Sequence, residues 1–136
     1  MRDELPLHDA TFDGLVTQGN ACTLYFSKTD GQGCEVELSG VDALQMDDFR
    51  EGNIVVVFAT TTGELIGGTV DLERLYPSPH PSAANDYHEK YEAHRSGKVQ
   101  AIASGDLTFV ELVPAIGADL LATCERVEIR LHRNVR

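Results

Sequence analysis

Basic residues are scarce in this sequence: 11 lysines and arginines stand against 22 aspartates and glutamates, giving a formal net charge of −11. A nucleic-acid-binding protein needs a clustered basic surface to neutralise phosphates, and an anionic membrane surface attracts basic segments in the same way. The composition therefore argues against nucleic acid and against a membrane as partners. It is compatible with solubility alone, and also with a basic protein partner that the acidic field would steer in.

Cysteine is also sparse, and none of the three residues belongs to a C-x-x-C pair. An odd number without that spacing is not a disulfide framework, and the ligand spacing of a structural zinc site is missing too. Residues 1–6 lack the apolar core of a signal peptide, and no segment approaches the roughly 20 apolar residues of a membrane span. We therefore expect a reduced, cytoplasmic protein.

Catalytic and cofactor motifs are missing as well. There is no G-x-S-x-G nucleophile elbow, no glycine-rich phosphate loop and no acidic ladder of a calcium loop. His88-Glu89 begins like a zinc-protease motif, but Glu92 stands where the second histidine is required. The sequence thus gives no chemical signature of an enzyme, and we predict no cofactor.

The most apolar stretch, residues 54–59, organises the predicted fold. It is apolar at both alternating sets of positions, rich in β-branched residues, and bounded by turn signals at residues 51–53 and 62–64. Successive side chains of a strand point to opposite faces, so both faces here need cover. We predict a central strand with antiparallel neighbours.

Alternating patterns predict further strands before it. Residues 11–18 and 21–28 form a hairpin across Gly19-Asn20, with Phe12, Gly14 and Val16 on one face of the first strand. The pattern is cleanest in the next strand, where apolar residues alternate with two glutamates: Cys34, Glu35, Val36, Glu37 and Leu38. Residues 39–50 are then expected to be a connection anchored by its apolar members, Leu44 and Met46.

The second half mixes strand and helix signals. Residues 69–76 favour a strand, although Leu72, Leu75 and Tyr76 also have helical spacing. A proline-rich loop at 77–82 precedes one short surface helix over residues 86–96, which Gly97 would end.

A second hairpin, residues 99–104 and 107–113, and a final strand, residues 123–131, complete the prediction. In the final strand Val127, Ile129 and Leu131 face inward. Cys124 falls on the outward set, which makes it the expected accessible thiol.

These elements predict a mainly β (α+β) fold for residues 1–136: a single domain with about eight strands, arranged as an antiparallel β-sandwich or flattened barrel. Closely spaced turn signals favour this architecture over alternating βαβ units.

Two groups of polar residues are candidate sites. His88 and Glu92 share a helix face, with His80 upstream and His94 nearby, which suits a divalent metal if a third ligand is present; the alternative, which we predict, is an ordinary solvated helix. The second group is acidic: Glu35, Glu37, Asp47 and Asp48, with Asp42 between them. Folded together, these carboxylates would form one patch for a basic partner; the alternative is scattered solubilising charge.

The end of the sequence is locally basic, through Arg126, Arg130, Arg133 and Arg136. Beside an acidic body, these arginines either neutralise the protein's own carboxylates or form one half of a self-association. A homo-oligomer is therefore among the partners considered.

The segment Leu7-His8-Asp9-Ala10 precedes a strand, and residues 47–54 lead through Asp-Asp-Phe-Arg-Glu-Gly-Asn into the central strand. This layout resembles that of small uncharacterised bacterial β-rich proteins, some of which are immunity or accessory proteins. The resemblance implies a binding role and no catalytic residues.

Two hypotheses follow for function. The first is a non-enzymatic protein-binding module, of the immunity, inhibitor or accessory kind, with an acidic surface. The alternative is a small-ligand or metal-dependent enzyme with its site near the proline-rich loop and helix 86–96.

Overall fold

The structure is a computed structural model that describes residues 1–66 and 70–132. Thr69, at the start of the predicted strand 69–76, and two of the C-terminal arginines, Arg133 and Arg136, lie outside the described residues. Within these residues the chain forms nine strands and two helices: β1 Arg2–Glu4, β2 Thr11–Gln18, β3 Ala21–Ser27, β4 Gly33–Ser39, β5 Ala43–Asp47, β6 Asn53–Thr61, α1 Val70–Leu75, α2 Asn85–Ser104, β7 Thr108–Ile116, β8 Asp119–Cys124 and β9 Arg126–Leu131.

All nine strands belong to one antiparallel sheet in the order β5-β8-β7-β6-β2-β3-β4-β9, with β1 added to β6. The predicted mainly β, antiparallel α+β fold is confirmed. The end strands β5 and β9 do not pair with each other, so the described residues form no closed barrel. The connection from β4 to β5 nevertheless meets the connection from β8 to β9, because Glu125 N–H donates to the carbonyls of Ser39 and Gly40.

The main core lies on the inner face of this curled sheet. Three phenylalanines from β2, β3 and β6 form its centre, with ring centroids 5.2 Å apart for Phe12 and Phe26 and 5.6 Å for Phe26 and Phe58. Inward residues of β4, β7 and β8 surround them, including the fully buried Val36 and Leu120. Burying such side chains removes apolar surface from water and supplies most of the stabilisation of the sheet.

A smaller core lies on the outer face, where the helices pack. Leu72 of α1 and Ile102 of α2 contact the region of Phe109 on β7 and Leu121 on β8. The strand covered on both faces is therefore β8. β6 lies inside the sheet between β7 and the pair β1 and β2, as predicted; Val55, Phe58 and Ala59 are fully buried, whereas Val56 and Val57 are half-buried.

The predicted hairpin 11–18 and 21–28 is confirmed by β2 and β3, which pair from Gln18 and Ala21 outward. The prediction that Phe12 and Val16 share one face is wrong, since Phe12 is fully buried and Val16 is 57% exposed. A bulge between Phe12 and Gly14 shifts the alternation by one residue, so that Leu15 packs against the core instead.

β4 keeps the predicted alternation, with its apolar residues buried and its two glutamates outward. The predicted connection that follows contains a strand, β5, which pairs with β8. Leu44 and Met46 anchor this segment on the main core, as expected.

The prediction of a strand over 69–76 is wrong, because α1 is a helix. Leu72 and Leu75, three residues apart, and the following Tyr76 meet the outer face of the sheet together, which only the helical spacing allows. The competing signal in the sequence was the correct one.

The helix predicted over 86–96 is present but continues to Ser104, so the predicted strand 99–104 is wrong. Gly97 lies inside α2, and Gly105 ends the helix with φ +92°, where its N–H donates to Ile102 O. Val99 and Ile102 use the helical spacing to reach the smaller core.

The expectation that Cys124 is an accessible thiol is also wrong, since the residue is fully buried. The predicted strand 123–131 is broken at Glu125 into β8 and β9, which resets the alternation and places Cys124 on the inner face. Burial, opposed only in part by a hydrogen bond from the Arg126 backbone, raises the pKa of this thiol to about 12.

A buried asparagine fixes the two turns at one end of the sheet. The Asn53 side chain donates to Phe12 O at 3.1 Å and accepts from the backbone N–H groups of Arg50 and Ala118, both at 2.9 Å. It thereby ties the β5–β6 connection to β2 and to the β7–β8 turn, and its polar groups are satisfied as burial requires.

Candidate functional site

The four acidic residues singled out in the sequence have different partners in the structure. Glu35 and Glu37 lie on the outer face of β4, opposite β9. Glu35 Oε1 is 3.1 Å from His132 Nε2, and Glu37 Oε2 is 3.4 Å from a guanidinium nitrogen of Arg130. Arg130 thus neutralises part of this acidic surface, and His132 contacts the remainder.

Asp47 and Asp48 lie at the end of β5. Asp47 is directly opposite Asp119 on β8, so two carboxylates of like charge form a cross-strand pair. Such a pair lowers the stability of a sheet. Asp48 and Glu51 follow in the exposed β5–β6 connection; we call Asp47, Asp48, Glu51 and Asp119 the acidic corner.

Arg74 of α1 forms salt bridges with both carboxylates of the cross-strand pair. Its two terminal nitrogens lie 3.4 Å from Asp47 Oδ2 and 3.3 Å from Asp119 Oδ1, and one of them also donates to Gln45 Oε1 at 2.8 Å. The guanidinium is divided between two carboxylates, and each of these keeps substantial exposure, at 61% for Asp47 and 40% for Asp119. The acidic corner therefore retains negative charge that faces solvent.

Asp48, the first residue after β5, has an unusual backbone conformation. Asp48 has φ +59°, in the left-handed region that aspartate and asparagine tolerate better than most residues. The conformation turns the chain sharply after β5. Sequence reasoning included Asp47 and Asp48 but missed Asp119, because its proximity depends on the register between β5 and β8.

A second polar group joins the helices to the junction between β4 and β5. Tyr76 OH donates to Asp42 Oδ2 and lies 2.6 Å from the hydroxyl of the buried Thr123. Lys98 Nζ of α2 is 2.8 Å from the same Asp42 oxygen and sits 5.4 Å from the centroid of the Tyr76 ring. His94 packs against the edge of this ring, with centroids 5.4 Å apart.

The pKa shifts in this group favour a structural role, in which the helices are held against the sheet, over acid–base catalysis. Burial and the hydrogen bond to Asp42 raise the pKa of Tyr76 far above its ordinary value, so the phenol stays protonated. Burial raises the pKa of Asp42, but the hydrogen bonds from Lys98 and Tyr76 outweigh it and hold that pKa below the ordinary value. Asp42 is thus a paired carboxylate that holds both helices against the sheet.

The residues considered for a metal site have separate partners. His80 Nδ1 is 2.7 Å from Ser82 Oγ, Glu92 is paired with Arg95 at 2.6 Å, and His94 packs on Tyr76. His88 lies half-buried on α2. Across residues 1–66 and 70–132, no group of three or more histidine, cysteine, aspartate or glutamate residues is placed to hold a metal ion.

The two remaining cysteines, Cys22 and Cys34, are buried as well, and burial raises the pKa of each thiol. No helix in the described part of the chain has the length and apolar character needed to cross a bilayer.

A scan of the chain against protein-family models found no match, and a search of the curated proteins found none either. Among solved structures, the chain is similar to one described as the crystal structure of an uncharacterized protein from Neisseria gonorrhoeae. The TM-score is 0.50 at 10% sequence identity, and the likeness covers 95% of this chain and 96% of the other. At this identity the likeness concerns the fold alone.

Proposed function

We propose that this protein is a non-enzymatic binding module that engages a basic protein through the acidic corner. The observation that supports the proposal best is the cross-strand pair of Asp47 and Asp119, which share a single guanidinium. The resemblance to small bacterial β-rich proteins, some of which are immunity or accessory proteins, supports the same class of role, and we propose that the protein acts in the cytoplasm.

A cation from a partner would relieve electrostatic repulsion within the acidic corner. Two carboxylates on directly opposite residues repel each other, and Arg74 offsets this repulsion only in part. A lysine or arginine of a partner would remove the remainder without displacing a contact within the protein. At exposed positions the desolvation cost is small, so the gain appears mainly as faster association that weakens with salt.

Glu35 and Glu37 have a lesser part in this proposal. Both are already paired, with His132 and Arg130, so a partner's cation would have to replace an existing contact. Neutralising these two glutamates should therefore weaken binding less than neutralising Asp47 and Asp48.

The test is affinity capture from a lysate of the source organism, at low and at high salt, with the partner identified by mass spectrometry and its binding then measured with purified protein. The site variant is D47N/D48N, which keeps a hydrogen-bond acceptor beside Arg74 and a residue that tolerates φ +59° at position 48. The matched control, D3N/E89Q, removes the same charge from exposed positions on β1 and α2.

We expect a basic partner that binds wild type and the control equally, binds D47N/D48N at least about tenfold more weakly, and dissociates at high salt. Equal losses in both variants would show that net charge alone matters and would contradict a specific corner. An acidic or neutral partner whose binding ignores salt would contradict the proposal as a whole.

A further inference from the structure

β9 is an edge strand. It pairs with β4 along one side, and no other strand in the described part of the chain pairs with its opposite side. His132 N–H, just past its end, donates to Gly33 O of β4. In an antiparallel ladder the direction of the backbone groups alternates, so the N–H and C=O groups of Val127, Ile129 and Leu131 point to the free side.

The inner face of β9 is only partly covered. Ile129 is opposite Val36 and Leu131 is opposite Cys34, so both share the face of core residues. Val127 packs against the core, whereas Ile129 and Leu131 remain 37% and 51% exposed. A strand that offers both free backbone groups and exposed apolar side chains is suited to the addition of another strand.

The outer face of β9 alternates in charge, through Arg126, Glu128 and Arg130. If two copies of β9 lie antiparallel with Ile129 on the two-fold axis, Glu128 of each copy is opposite Arg130 of the other. On the other face Val127 is opposite Leu131, and Ile129 is opposite itself. Over positions 127–131 the sequence of β9 is therefore complementary to a second copy of itself in this register, and like charges are not opposite there; Arg126 is opposite His132.

The backbone favours the same register. Centred on Ile129, every residue whose amide points to the free side meets another such residue, which allows about six backbone hydrogen bonds between the copies. A shift by one residue would pair Ile129 with a residue whose amide is directed at β4. A register in which the second copy moves toward Cys124 would require it to pair with β8, and both sides of β8 are already paired, with β5 and β7.

We propose that two copies of this chain associate through their β9 strands and form one sheet that is continuous across the two-fold axis. The surface is distinct from the acidic corner, because Asp47 and Asp119 form the pair of the β5–β8 ladder that lies farthest from the start of β9. The dimer and the binding of a basic protein can therefore be tested, and disproved, independently of each other.

The charge pattern allows a sharp test. In the variant E128R, arginine stands at both positions 128 and 130 of the outer face; in R130E, glutamate stands at both. Position 128 of one copy is opposite position 130 of the other, so a homodimer of either variant would place like charges opposite each other. When the two variants are mixed, a heterodimer places an arginine opposite a glutamate at both positions. Light scattering after size-exclusion chromatography and native mass spectrometry, over about 1 µM to 1 mM protein, give the masses; circular dichroism checks that both variants are folded.

We expect wild type to form a dimer that increases with concentration, each single variant to be monomeric, and the mixture to form a one-to-one heterodimer. The variant I129P should also be monomeric, because proline removes the N–H that would bond to the second copy. The pairing of β9 with β4 does not involve this N–H. In hydrogen exchange, the amides of Val127, Ile129 and Leu131 should gain protection with wild-type concentration.

Three results would overturn the proposal. If wild type remains monomeric at the highest concentration, the dimer is ruled out. A dimer that both single variants and I129P preserve would lie on another surface. Protection of the β9 amides only after a different protein is added would assign the free side to that protein.

Discussion

The side chain of Asn53 occupies the space in which a side chain at position 117 would lie. A Cβ built on Gly117 would meet Asn53 Oδ1 well inside contact distance, and Gly117 has φ +88°. The same oxygen accepts hydrogen bonds from Arg50 and Ala118. The two turns at this end of the sheet thus depend on a glycine and an asparagine that fit each other.

Gly117→Ala should destabilise the protein by at least about 2 kcal/mol, because it adds strain at a left-handed backbone position and displaces the buried amide of Asn53. The measurement is the free energy of unfolding in urea. Gly97→Ala is the matched control: it lies inside α2 with open space around its position, so it should stabilise by about 0.5–1 kcal/mol. Equal effects of the two changes would contradict the proposed fit.

The contribution of Asp42 to stability should depend on pH. Its pKa is lowered in the folded protein, so its stabilisation is present above the unfolded pKa of about 3.9 and is lost as pH falls through the folded pKa. We expect the free-energy difference between wild type and D42N to shrink between pH 6 and pH 3. The change should not exceed about 1 kcal/mol, because the Asp42 side chain is 34% exposed.

Lys98→Met provides the comparison for Asp42. This variant removes the ammonium group that lies 2.8 Å from the carboxylate, so the pH dependence of the D42N difference should flatten in its background. An unchanged slope would show that another group titrates in this range.

Native protein should react slowly with a thiol reagent at pH 8. All three cysteines are buried, and the pKa of Cys124 is raised to about 12, so almost no thiolate is available to react. Mass spectrometry should show slow labelling in buffer and three modified residues in denaturant. Ser96→Cys, at an exposed position of α2, is the positive control and should react at once; equally fast labelling of Cys124 would contradict its burial.

Arg74→Met should destabilise the protein, by about 1 kcal/mol, because it leaves Asp47 and Asp119 opposite each other without their shared cation. Adding Asp119→Asn should recover most of this loss. A double-mutant cycle measured by urea unfolding gives the coupling. If D119N has the same effect with and without Arg74, the three groups do not interact as the geometry indicates.

Sequence patterning predicted the strands whose alternation is uninterrupted. β4 is the clearest case, since Cys34, Val36 and Leu38 are buried and the intervening glutamates are outward. Local rules are sufficient there, because one face of the strand meets the core and the other meets solvent.

Prediction failed where the alternation is reset inside a segment. The bulge before Gly14 turned Val16 outward, and the break at Glu125 turned Cys124 inward. Neither irregularity has a strong local signal, because both arise from how a strand fits its neighbours in the curled sheet.

The acidic corner shows the limit of prediction for the site. Asp47 and Asp48 are adjacent in sequence and were recognised together. Asp119 joins them only through the register of β5 and β8, and Arg74 joins them through a helix that was predicted to be a strand. Long-range pairing of this kind is set by the whole fold.

The pairing of β4 with β9 has a consequence for synthesis of the protein. Cys34 pairs with Leu131, so β4 leaves the ribosome long before its partner strand exists. Throughout that interval the nascent chain displays an unsatisfied strand edge, on which neighbouring nascent chains on the same messenger can assemble. We therefore expect codons that slow elongation between the two strands to prolong this exposure, and a chaperone that binds β4 to cover the edge until β9 is made.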